Sequence, residues 1–233
     1  MFKYILIFLI FFSSSVFSKT IDLEYDVYAG GLRGLNAKIT ITLKNDNTYE
    51  ISSIAKTTGF IGTLYYAMMK YDTFGEIKEN YFKTSNYIYN AETRKKKRTK
   101  NIDFSEYKDY VDYQTVFLNI ISHITKNDNC DLSNNVYSGK RFFKIDFKNT
   151  ENLNIKDKGK GIYQGEAIAC NVDIESTGQK DYGWFFDQSQ GELKAYFAKI
   201  PNLDNKIMVK ADMGTLGHGN IIAYLVKAEI KEN

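Results

Sequence analysis

Proline is nearly missing from this chain: Pro201 is the sole one in 233 residues. Proline removes a ladder hydrogen-bond donor, so its scarcity leaves almost every segment free to pair as a strand. Cysteine and histidine are as scarce, at two each, and no C-x-x-C or H-E-x-x-H spacing occurs. A cysteine–histidine metal centre therefore lacks material, and no metal or cofactor is expected. No serine sits in a G-x-S-x-G elbow, and no glycine-rich loop is built to cradle phosphates. Charge of one sign is lacking too. Lys and Arg number 31 against 28 Asp and Glu, a balance that gives no reason for a polyanionic partner such as nucleic acid.

Long apolar runs are absent except at the start, MFKYILIFLIFFSSSVFSKT. Lys3 supplies a positive n-region, residues 4–12 are unbroken apolar, and Ser13 to Ser15 break the run ahead of a small residue, Ser18. This order predicts a signal peptide over 1–18, cleaved after Ser18, and a periplasmic location. The run is too short for a stable spanning helix, and an uncleaved anchor is the competing reading. No cysteine follows it, which argues against a lipid-modified terminus. Cleavage leaves about 215 residues, enough for one sizeable core, and residues 19–233 are expected to form a single β-rich domain.

What the chain has in quantity is tyrosine and phenylalanine, 18 and 16. These suit pleated, half-buried strands. IDLEYDVYA (21–29) alternates Ile21, Leu23, Tyr25 and Val27 against Asp22, Glu24 and Asp26, a strand with one wet face. Gly30, Gly31 and Gly34 make a turn, AKITITL (37–43) alternates again, and Asn45-Asp46-Asn47 marks a hairpin into TYEISSIAK. TTGFIGTLYYAMMK (57–70) loses the period of two and predicts a bent element with a helical turn, after which YDTFGEIKE and YFKTSNYIYNAE resume strand character. TRKKKRTK (93–100), with Arg94, Lys96 and Arg98, is polar on both faces, so it belongs at a sheet edge. There it either guards against aggregation or meets anionic groups at a rim.

One segment carries the helical period. Tyr113, Val116, Phe117, Ile120, Ile121 and Ile124 make one stripe over 113–125, with Asp112 as N-cap. This helix is expected to pack on the sheet, plug an open barrel end or lid a binding face. Further strands follow at KRFFKIDFK (140–148), GEAIACNVDI (165–174), ELKAYFAKI, KIMVKA and NIIAYLVKAEI, with SNNVYSG and NTENLNIKDKGKG as links. The sum is about ten or eleven antiparallel strands in a strongly curved sheet, open barrel or roll, mainly β with one amphipathic helix.

Two lone cysteines in an exported chain favour a Cys130–Cys170 disulfide, against the alternative of two buried thiols. Closing a loop of that length gives roughly 4 kcal/mol in the chain-entropy model.

The combination of Y-x-V-Y-x-G-G-x-x-G (Tyr25 to Gly34), T-x-G-F-x-G ending at Gly62, C-x(5)-V-Y-x-G-K-R (Cys130 to Arg141) and Y-x-G-x-A-x-x-C (Tyr163 to Cys170) resembles the exported bacterial proteins grouped as domain of unknown function 3108. The likeness spans about residues 22–230. It departs at Asn205-Lys206-Ile207, where relatives often carry a proline. It implies a β-rich envelope domain with no assigned catalytic residues.

Candidate chemistry is thin. His123 reads as a packing residue of the helix, His218 as part of a glycine turn, and Arg33 and Arg141 as partners of local acids. An enzyme is the weaker class. Two readings stay open. One is a binding module whose inward aromatics Tyr25, Phe143, Phe147 and Tyr224 face a lipid or other amphipathic envelope molecule. The other is a structural or interaction protein with a filled core.

Overall fold

The computed structural model describes residues 18–79, 81–157, 159–176, 192–216 and 219–232. The apolar run 4–12, the triplet Trp184-Phe185-Phe186 and His218 lie outside the described residues. Twelve strands are described: β1 (Ser18–Ala29), β2 (Leu32–Lys44), β3 (Thr48–Thr57), β4 (Ala67–Lys78), β5 (Tyr81–Thr93), β6 (Lys97–Asp103), β7 (Leu132–Tyr137), β8 (Phe142–Ile155), β9 (Gly165–Ser176), β10 (Leu193–Lys199), β11 (Lys206–Leu216) and β12 (Gly219–Glu232). Between them stand α1 (Gly59–Leu64), a 3-10 turn (Phe104–Glu106) and α2 (Tyr113–Asn127).

All twelve strands form one antiparallel sheet in the order β6-β5-β4-β3-β2-β1-β12-β11-β10-β9-β8-β7. The first and last strands pair at its centre, and the two edges, β6 and β7, are consecutive in the chain. The sheet curls until those edges approach without joining in a ladder. Val111, in the segment that follows β6, pairs with β7, donating its N–H to Asn135 O (2.9 Å) and accepting from Tyr137 N–H (3.0 Å). Rings seal the seam: Tyr107 on Tyr137 at 4.1 Å, Tyr137 on Phe142 at 4.6 Å, and Tyr110 on Phe142 at 4.9 Å. Offset and tilted ring pairs at these spacings add to the area they bury.

The strand count exceeds the expected ten or eleven because LSNNVY pairs as β7 rather than serving as a link. Its buried polar residue hides it: Asn134 faces the core and accepts from Tyr81 Oη (2.9 Å) and Asn119 Nδ2 (3.2 Å). The link NTENLNI is likewise a strand, the far half of β8 beyond a bulge between Lys148 and Glu151. Its side chains are polar because this end of the strand is mostly exposed. Gly30 and Gly31, both at positive φ, make the β1–β2 turn, whereas Gly34 lies inside β2. A Cβ on Gly34 would stand 2.7 Å from Ile61 Cδ1, so a larger residue would push the Ile61 side chain out of the place where α1 meets β2.

Helix α2 runs inside the curl. Asp112 caps it as expected, accepting from the N–H of Gln114 (2.8 Å). Asp128 ends it in the left-handed region, its N–H on Ile124 O (3.1 Å). The stripe read from the sequence is buried, but so are Thr115, Leu118 and Asn119 on the other side. A helix surrounded by sheet loses its wet face. Each buried Leu or Ile here contributes about 2 kcal/mol of transfer free energy. Cys130 and Cys170 form the disulfide, with Cα atoms 5.6 Å apart. It pins the exit of α2 to β9, across the intervening β8.

Candidate functional site

Strand register places inward side chains in rows. Ile41, Ile51, Thr73 and Tyr87 form one row across β2 to β5, and Ile39, Ser53, Tyr71 and Tyr89 form the next. The third row, towards the β1–β2 turn, is Ala37, Ala55, Met69 and Ala91, continued by Arg98 on β6. Helix α2 begins level with Thr73 and Thr84, so it fills the lumen only below the tyrosine rows. Above it, serine and alanine cannot reach across.

The result is an open cavity of about 740 Å³. Its walls are Ile39, Ile51, Met69 and Met208 with Tyr71, Tyr87, Tyr89 and Tyr113. Gln114 and Phe117 of α2 form the floor, with Ser53 and Ser138 as small polar points. That volume and apolar lining match sites that enclose small organic ligands. At the other end of α2, beside Leu118 and Ile121, the space is only about 90 Å³. The helix therefore plugs one end of the curl and floors the cavity at the other; it is not a lid.

A buried polar hub fixes that floor. Asp112, fully buried, accepts from the hydroxyls of Thr73 (2.9 Å), Thr84 (2.7 Å) and Thr115 (2.6 Å). Tyr49 Oη lies 2.7 Å from Thr115 Oγ1. Gln114 donates to Thr73 Oγ1 (2.8 Å) and accepts from the Ser53 hydroxyl. Every oxygen of the carboxylate is thus satisfied, the condition for burying such a group without penalty.

The tyrosines give the cavity its chemistry. Tyr71 stacks against Tyr89 at 5.2 Å and Tyr87 at 6.2 Å. Burial pushes the phenols of Tyr71 and Tyr113 up to about 12, and burial, aided by the Asp112 charge, pushes Tyr87 higher still. At physiological pH they are neutral, flat, and carry single hydroxyls. The arrangement suits an apolar chain or ring with few polar atoms.

None of the four aromatics expected to face a ligand lines this cavity. Tyr25 is core, its hydroxyl donating to Met208 O (2.8 Å) behind the wall. Phe143 and Phe147 pack with the disulfide and α2, and Phe143 reaches the cavity only through Tyr113, 6.0 Å away. Tyr224, expected to point inward, points outward. Leu225 takes the inward position of β12, and Lys160 and Gly161 cover Tyr224, with Lys160 Nζ 5.9 Å from its ring. A bulge between Glu24 and Tyr25 leaves Leu225 O for Ile162 N–H (2.9 Å) and anchors that cover.

The basic run does lie at the edge. Arg94 and Lys96 occupy the exposed β5–β6 turn, and Arg98 sits on β6 at the end of the alanine row, on the inner face. Lys100 reaches across the seam to Gly139 O (2.9 Å). Arg33 pairs with Asp26 (2.7 Å). His123 is held at the helix exit by Asn129 Oδ1 (2.8 Å) and Asn127 (3.1 Å), away from the cavity. Among the described residues no group of three or more His, Cys, Asp or Glu stands where it could hold a metal.

No family model matches the chain, and no curated protein matches it. Among solved structures the fold is similar to the crystal structure of a β-barrel-like protein of domain of unknown function 1849 from Brucella abortus, at 10% identity and a TM-score of 0.40, over 93% of this chain and 98% of that one.

Proposed function

We propose that this chain is an exported envelope protein, not an enzyme, that holds the apolar part of an amphipathic molecule in its lumen. The observation that carries this reading is the open apolar cavity of about 740 Å³ between the tyrosine rows and α2, with the next inward row, Ala37, Ala55, Met69 and Ala91, built mostly of small residues. A protein whose lumen served packing alone would place large side chains there, because empty apolar space costs stability. The tyrosines beneath grip an acyl or prenyl chain by area, and Arg98 at the end of the row supplies a charge for an anionic head. Export is supported by the n-region and apolar run at 3–12 and by the disulfide, which persists in oxidising compartments. Membership of the domain of unknown function 3108 family belongs to this proposal and rests on the four motifs.

Native mass spectrometry with solvent extraction of protein prepared without detergent tests both parts. The expected polypeptide begins at Lys19 and carries one extractable lipid. A polypeptide retaining Met1, or a protein that yields no lipid on extraction and takes up none when lipid is added, would overturn the corresponding part.

A further inference from the structure

The end of the curl where the cavity opens has an exterior that the cavity does not explain. Helix α1 carries Phe60 at 70% exposure and Leu64 at 51%, followed by Tyr65 at 74%; Leu32 at the start of β2 adds 62%. Single exposed apolar side chains are ordinary on a protein surface, but four at one corner mark a contact surface. The corner is held in place rather than loose. Thr58 N–H donates to Gly34 O (3.0 Å), Ile61 presses on Gly34, and Arg94 donates to Thr63 O from the neighbouring basic turn. The apolar corner and the basic turn are therefore one surface.

Four of its turns are basic. Residues 30–34, 57–66, 94–98 and 138–141 contain Arg33, Arg94, Lys95, Lys96, Lys97, Arg98, Lys140 and Arg141 and no acid, and Glu192, just before β10 at the same end, is paired with Lys194. Glu92 and Asp26, beside these turns, are paired with Lys97 and Arg33. Turns at the opposite end mix signs, with Asp46, Glu79, Asp128 and Asp204 among their lysines. In a chain close to neutral overall, the excess of basic residues is thus concentrated on these four turns.

We propose that this mouth face docks on an anionic lipid leaflet, with Phe60, Leu64 and Tyr65 entering the interface and the 94–98 turn lying against the headgroups. Exposed aromatic and leucine side chains flanked by basic residues are the composition that partitions into an interface. A protein partner would need carboxylates opposite the turn and an apolar groove of its own for the corner; the leaflet needs neither. The pose aims the cavity mouth at the membrane. It rests on the exterior alone and does not require the cavity to be occupied.

Vesicle co-sedimentation of the full mature chain decides it, using phosphatidylcholine alone and phosphatidylcholine with about a third phosphatidylglycerol. Two variants accompany the native chain, Lys95→Glu/Lys96→Glu and Phe60→Ser/Leu64→Ser, all four positions being exposed. Expected is binding to the anionic vesicles only, weakened by salt, and lowered about tenfold or more by either variant. In the same samples, uptake of a soluble fluorescent fatty acid should be unchanged by the variants, which separates docking from filling the lumen. Equal binding to neutral vesicles, no binding at all, or binding indifferent to both variants would overturn the proposal. So would self-association abolished by Phe60→Ser/Leu64→Ser in a chain that ignores vesicles, which would assign the face to a second copy.

Discussion

At the scale of single residues the account turns on Asp112, which does two things at once. It caps α2 and gathers three threonine hydroxyls from β4, β5 and the helix itself. Asp112→Ala removes the cap and strands those hydroxyls in a dry place, so we expect a loss of about 3 kcal/mol in chemical denaturation. The neighbouring tyrosines carry a pH signature. Their folded pKa lies above the unfolded value of about 10, so the unfolded chain releases protons first as pH rises. Stability should be intact below about pH 10 and fall by roughly 1.4 kcal/mol per unit and per tyrosine up to about 12 for Tyr71 and Tyr113. Denaturation followed against pH should show this slope, and Tyr71→Phe/Tyr113→Phe should flatten it. At this scale the sequence was a poor guide to the site. Alternation marked Tyr25, Phe143 and Phe147 as inward, yet inward in a lumen shared with a helix means core unless the helix stops short. Where α2 stops relative to β4 is set by Asp112 and the threonines, contacts 28 and 39 residues apart in the chain that no local pattern reveals.

At the scale of elements the legible parts were those with one wet and one dry face. β1 to β5, β8 to β12 and α2 all announce themselves by period, and the cysteine pair was readable from compartment and count. The unreadable elements broke the period for physical reasons. β7 buries an asparagine that finds partners on β5 and α2, and β8 is exposed from Lys148 to Asn152 before Leu153 and Ile155 return to the core. The bent segment at 57–70 was legible as a loss of strand period with a helical turn, but its role was not. Phe60, Leu64 and Tyr65 face water, which a reading tuned to burial takes for core. The disulfide acts at this scale too. By closing a 40-residue loop it contributes roughly 4 kcal/mol in the chain-entropy model and holds the exit of α2 against β9. The plug stays seated from both ends, at Asp112 and at Cys130.

At the scale of the whole molecule, a curled sheet with its first and last strands paired at the centre brings its two edges together at a seam of rings. One end is filled by helix and side chains; the other is left open above a tyrosine floor. The openness is a choice of residues, since alanine and serine stand where phenylalanine would fit. Filling those positions is the most direct trial of the account. Mature protein and a Ser53→Trp/Ala55→Trp variant would be titrated with a fluorescent long-chain fatty acid, and thermal melting would be followed for both. The account predicts one equivalent bound by the native chain and at least about a tenfold loss in the variant, with the melting temperature kept or raised because the rings occupy empty space. Binding of equal strength in both proteins, or none in a native chain freed of lipid, would contradict it.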